Sequence, residues 1–105
     1  MIYATMILTD CHATGGKNVI RVHYAECNMA HAGNFVIDVP VGTQWLMVMT
    51  KTPARFRVDG ELRVYPAQSA VLYRPGQSVH YATYDGQFVN NWIRFETDDP
   101  YFADS

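Results

Sequence analysis

Charge is scarce in this sequence. Eight basic and ten acidic side chains among 105 residues leave a formal net charge of −2. Such a balance carries no electrostatic footprint for a phosphate backbone, so nucleic-acid binding by a basic face of these residues is excluded. Cysteine is scarcer still: Cys11 and Cys27 are too few for the disulfide framework of a small secreted domain and read as reduced thiols of a cytoplasmic protein. No apolar run approaches the roughly 20 residues of a membrane span. The start, Met1-Ile2-Tyr3-Ala4-Thr5-Met6, lacks the basic and apolar regions of a secretory leader, and no lipidation motif is visible, so no membrane partner is expected. Catalytic signatures are missing as well. There is no Gly-x-Ser-x-Gly elbow, Thr14-Gly15-Gly16-Lys17 is too short for a phosphate loop, and the acidic residues fall at strand ends and turns without forming a carboxylate pair. Between His31 and His80 there is no histidine, and Cys11-His12 and Cys27-x-x-x-His31 lack finger spacing. The expectation is a non-enzyme with no catalytic residue, no metal and no cofactor.

Apolar side chains make up 49% of the chain, enough for residues 1–105 to form one domain with a real core. They fall in short runs separated by turn residues, the pattern of an all-β sandwich or barrel. Candidate strands are Asn18–Tyr24, Asn34–Asp38, Gln44–Thr50, Arg55–Arg57, Glu61–Tyr65, Ala70–Tyr73, Ser78–Thr83 and Gln87–Glu96. Trp45, Met47 and Met49 alternate with Leu46 and Val48, which suits a strand buried on both faces, one of which could line a ligand cavity. The tail Asp98-Asp99-Pro100-Tyr101-Phe102 has the acidic residues and proline that open a helix. In the Arg55–Val64 hairpin, a three-residue loop Val58-Asp59-Gly60 places Ala54, Phe56, Leu62 and Val64 on one face and the charged residues on the other; burial favours that register.

The stretch from Pro66 to Tyr81 reads as strand, Pro75-Gly76 turn and returning strand, with the pair His80-Tyr81 on the return. It resembles the second sequence motif of the cupin fold. Downstream stands Asn90-Asn91-Trp92-Ile93-Arg94-Phe95, and upstream stand Pro40-Val41-Gly42 and Val58-Asp59-Gly60. In this order, over about residues 35–102, they resemble the N-terminal effector-sensing domain of AraC-type transcription regulators. The resemblance implies a double-stranded β-helix, a cupin-like jelly roll, whose mouth binds a small effector, often a sugar. It also implies a helical dimerisation segment and two helix-turn-helix units outside these residues, so that homodimerisation and DNA contact belong to the full regulator. Two departures stand out. Many members read Asp-Trp-x-His-Phe where this chain has Asn91-Trp92-Ile93-Arg94-Phe95, and sugar-sensing members place an arginine where this chain has Val39.

Tyr81 and Trp92 match pocket positions of the family, and Asn90 falls where a polar pocket residue stands. An aromatic platform with amide hydrogen bonds suits a sugar or another flat polar ligand. Period two puts Asn90 and Trp92 on one strand face. The same rule turns His80 away from Tyr81, so both reach one ligand only through a bulge or barrel curvature. The expected ligand-binding set is Tyr81, Trp92, Asn90 and His80, with residues before Val19 as an arm over the mouth. Two other functions share this fold: a metal-independent sugar isomerase or epimerase using His80 and Tyr81 as acid and base, and a stand-alone carbohydrate-binding module.

Overall fold

Short alternating segments fold here into eight strands and one terminal helical turn, in a computed structural model that describes residues 19–103. The strands are β1 (Ile20–Ala32), β2 (Val36–Val39), β3 (Trp45–Thr50), β4 (Ala54–Val58), β5 (Glu61–Tyr65), β6 (Ala70–Tyr73), β7 (Val79–Thr83) and β8 (Gln87–Thr97), followed by α1 (Pro100–Ala103). They pair in two four-stranded antiparallel sheets, ordered β1-β8-β3-β6 and β2-β7-β4-β5. Consecutive strands alternate between the sheets over most of the chain. Two interleaved Greek keys of this order make a jelly roll, the double-stranded β-helix expected from the sequence. Among the described residues no helix is long and apolar enough to cross a membrane.

The first sheet is apolar on both faces and builds two cores. Its inner face meets the second sheet through Val48, Val71, Tyr73 and Phe88, packed against Phe56, Val79 and Tyr81. Its outer face carries Trp45, Met47, Leu72 and Phe95, and Phe102 of α1 closes over them. The ring of Phe102 meets Trp45 and Phe95 edge-on at centroid distances of 5.3 and 5.8 Å. The Asp99 carboxylate caps this turn by accepting the Tyr101 backbone N–H at 2.9 Å. The double apolar pattern of β3 is thereby explained. Trp45 and Met47 serve the outer core, while Leu46 and Val48 face the interior.

Two sequence expectations are corrected. Strand β1 continues to Ala32 instead of ending near Tyr24. Its pairing with β8 shifts register between Val22 and Tyr24 and again between Glu26 and Met29, where Asn28 takes a φ of 55°. These irregularities break the period-two pattern that marks a strand. The β4–β5 hairpin closes on a two-residue loop, pairing Val58 with Glu61 and Phe56 with Arg63. Asp59 and Gly60 have φ values of 53° and 81°, the doubly left-handed turn favoured by strand twist. Turn chemistry prevails because β5 is an edge strand. Leu62 and Val64 remain 49% and 47% exposed, so burial has little hold on its register.

The turn gives a direct test. Gly60→Ala places a Cβ in the left-handed region and is expected to destabilise the protein by about 1–2 kcal/mol. Gly60→Asn is expected to cost a fraction of that, because Asn tolerates the region. Urea unfolding of the two variants checks the difference.

Candidate ligand cavity between the sheets

Strand β8 is hydrogen-bonded to β1 on one edge and β3 on the other. Period two therefore sorts its side chains without ambiguity. Ile93 and Phe95 go to the outer core, and Phe88, Asn90, Trp92 and Arg94 go to the interior. Along that inner row burial falls steadily. Phe88 and Asn90 are buried, Trp92 is partly buried, and Arg94 is exposed.

This row forms one wall of a cavity of about 420 Å³ that opens between the two sheets. Its volume lies in the range of small-molecule pockets. Phe35, Ile37, Leu46, Val79 and Tyr81 supply much of the apolar lining, and Val39, Val41, Gly42, Thr43 and Gln44 come from the end of β2 and the loop after it. That loop is fixed to the Pro75-Gly76 turn: the Gly42 N–H donates to the Gln77 carbonyl at 2.9 Å, and the Gly76 N–H donates to the Gly42 carbonyl at 2.8 Å. Two sequence motifs far apart in the chain meet in this way at the cavity. A Cβ on Gly42 would lie 3.5 Å from both the Gln77 carbonyl and a Val79 methyl, an ordinary contact distance, so the loop is held by its backbone hydrogen bonds and not by the lack of a side chain here.

Three of the four expected site residues share the cavity. Tyr81 is buried, its ring 5.4 Å from Phe56 and 5.9 Å from Phe88, and its hydroxyl makes no hydrogen bond among the described residues. Desolvation pushes its pKa up to about 12, with Arg94 opposing the shift, so the phenol is a neutral donor at ordinary pH. Trp92 lies against Tyr24 at 5.0 Å between ring centroids. Asn90 is 1% exposed, and its Oδ1 is buried with no hydrogen-bond partner among the described residues.

His80 stands apart. The regular alternation of β7 turns it to the other face of the second sheet, where Nδ1 lies 3.3 Å from Oδ1 of Asp38. No bulge in β7 brings it round to Tyr81, so the acid–base pair of the enzyme reading is not assembled at this cavity. The arm before Val19 and Cys11 lie outside the described residues. Cys27 is an exposed free thiol. Among the described residues no group of three or more His, Cys, Asp or Glu side chains could hold a metal ion.

Arg94 and His31 also reach the wall, and neither is in the expected set. His31 stacks on Phe35 at 3.6 Å between ring centroids. Its strand was hidden by the irregularities of β1. The signal for Arg94 was present: it follows Asn90 and Trp92 by the same two-residue step. The interior that lacks an arginine at Val39 on β2 receives one at Arg94 from the opposite sheet.

The fold is a cupin-like jelly roll. No family model matches the sequence, and no curated protein matches it. Among solved structures, the cupin_2 domain of an XRE-family transcriptional regulator from Enterobacter cloacae aligns with 75% of this chain and 95% of that one, at 10% identity and a TM-score of 0.46. A de novo designed double-stranded β-helix aligns with 76% of this chain and 99% of that one, at 13% identity and a TM-score of 0.41. The strand order itself carries the fold assignment.

Two outcomes follow from the cavity. Asn90→Leu removes a buried acceptor that no described residue satisfies and is expected to stabilise the ligand-free protein by about 1–2 kcal/mol in urea unfolding. Alkaline titration followed by tyrosinate absorbance is expected to show Tyr73 and Tyr81 ionising last, because burial raises both. Raised folded-state values mean that this contribution to stability is complete below pH ~10, the unfolded value, and is lost as pH climbs toward and through 12. Tyr81→Phe removes one of the late steps.

Proposed function

We propose that this chain is the effector-binding domain of a cytoplasmic transcription regulator of the AraC type, and that it takes a small polar metabolite into the cavity between its sheets. The observation that carries the binding function is Asn90: a side-chain amide, 1% exposed, with an acceptor that no described residue satisfies. Burying such a group costs about 1–3 kcal/mol in the free protein. A ligand that donates to Oδ1 recovers this penalty on binding, and Trp92 and Tyr81 give it aromatic surface. The regulatory part of the reading rests on the order of the four sequence motifs. Two of them, Pro40-Val41-Gly42 and Pro75-Gly76, are joined by hydrogen bonds beside the cavity.

Binding chemistry is favoured over turnover because the described cavity wall holds no carboxylate and no paired acid and base. The effector acts by shifting the population of two arrangements of this domain and the segments that join it to the rest of the regulator. Val39 and Val41, on the segment tied to the 75–77 turn, place that segment in contact with whatever fills the cavity. DNA contact belongs to the helix-turn-helix units of the full protein.

A thermal-shift screen of charged and neutral metabolites tests the reading. At least one compound is expected to raise the melting temperature of the wild type. Trp92→Ala is expected to weaken its binding by about 1–3 kcal/mol, the loss of one buried aromatic contact. A ligand whose affinity is untouched by both Trp92→Ala and Asn90→Leu, in variants that still fold, would place binding elsewhere. In the full regulator, the same ligand is expected to change operator affinity.

A further inference from the structure

Among the described residues, Arg94 is the one permanently charged side chain on the cavity wall, and no described Asp or Glu lies there with it. Nor does the guanidinium have an ion-pair partner among the described residues. It rests on two aromatic faces, 5.6 Å from the Trp92 ring centroid and 5.9 Å from that of Tyr24. The nearby carboxylates are engaged otherwise: Glu26 accepts the Tyr24 hydroxyl at 2.7 Å, and Glu96 meets His23. Aromatic faces hold the guanidinium in place and leave its planar fork of donors free.

Asn90, Trp92 and Arg94 succeed one another on a single strand face. At about 3.3 Å per residue, the Cα atoms of Asn90 and Arg94 are roughly 13 Å apart. The buried end of this line offers an acceptor, the middle offers a flat apolar platform, and the exposed end offers a cation.

We infer that the ligand is a compact carboxylate, with an apolar body about one aromatic ring in size and an O–H or N–H at the end remote from the carboxylate. The carboxylate pairs with the Arg94 fork, the body lies against Trp92, and the remote donor meets Oδ1 of Asn90. Such a molecule satisfies the unpaired cation and the unpaired amide together, and a neutral sugar satisfies only the amide. This inference rests on the cavity reading above and narrows it.

The test uses 4-hydroxybenzoate, 4-aminobenzoate and 6-hydroxyhexanoate as probes, each beside its own primary amide, with arabinose and glucose as neutral sugars. Calorimetry on the wild type is expected to show a carboxylate binding at least about tenfold more tightly than its amide. Arg94→Gln is expected to erase that preference and Arg94→Lys to keep part of it, both variants melting near the wild-type temperature because Arg94 is exposed. Equal affinity for carboxylate and amide, or an unchanged carboxylate affinity in Arg94→Gln, overturns the inference. Binding of a neutral sugar that is lost in Asn90→Leu, with no carboxylate binding, overturns it while the cavity reading stands. If neither the carboxylates nor the neutral compounds bind, both fail.

Discussion

Everything in this domain that bears on binding depends on the position of β8 within its sheet. Hydrogen bonds from β1 on one side and β3 on the other fix the strand along most of its length. A strand held on both edges cannot slip by one residue without exchanging its two faces. Such a slip would bury Arg94 beneath Phe102 and expose Phe95 to the cavity. The outer core of Trp45, Met47, Leu72, Phe95 and Phe102 therefore sets the inner face as well. Packing on one side of the sheet determines which side chains a ligand meets on the other.

The fold was legible because alternation and turn residues are local. Seven of the eight strands coincide with a short apolar run and β1 does so over its first half, and even the capped turn at Pro100 was signalled by the acidic residues before it. The misreadings have local causes too. Bulges concealed the second half of β1, and with it Met29 and His31 on the cavity wall. In the β4–β5 hairpin, matching apolar residues across the strands presupposed a buried face that an edge strand does not have.

The cavity was only partly legible. Tyr81, Trp92 and Asn90 were reached through motif and period, and His80 was separated from them by the same alternation that placed them. What no linear reading supplies is the pairing of elements across the barrel. Val39 and Arg94 are distant in sequence, yet both line one cavity from opposite sheets. An arginine absent at one position can be offset at another only where the fold makes the two neighbours of the same space. Asn90 shows the same dependence. Its amide is unremarkable in sequence, and becomes informative once the described residues around it are known to leave its oxygen without a donor.

Strand β5 has a bearing on how the protein behaves among other copies of itself. It ends its sheet, so one row of backbone donors and acceptors has none of the described strands beside it. Two aliphatic side chains, Leu62 and Val64, stand half-exposed along it. An edge of this kind is a template for adding a strand from another molecule, and charge is a common way of blocking it. Here Arg55 and Arg57 flank the aliphatic pair from β4, and Arg63 projects from the other side of β5 with Glu61 as its partner. On the edge strand itself stand Glu61 and Arg63, so strand addition there would have to bring another chain alongside an ion pair as well as the aliphatic pair.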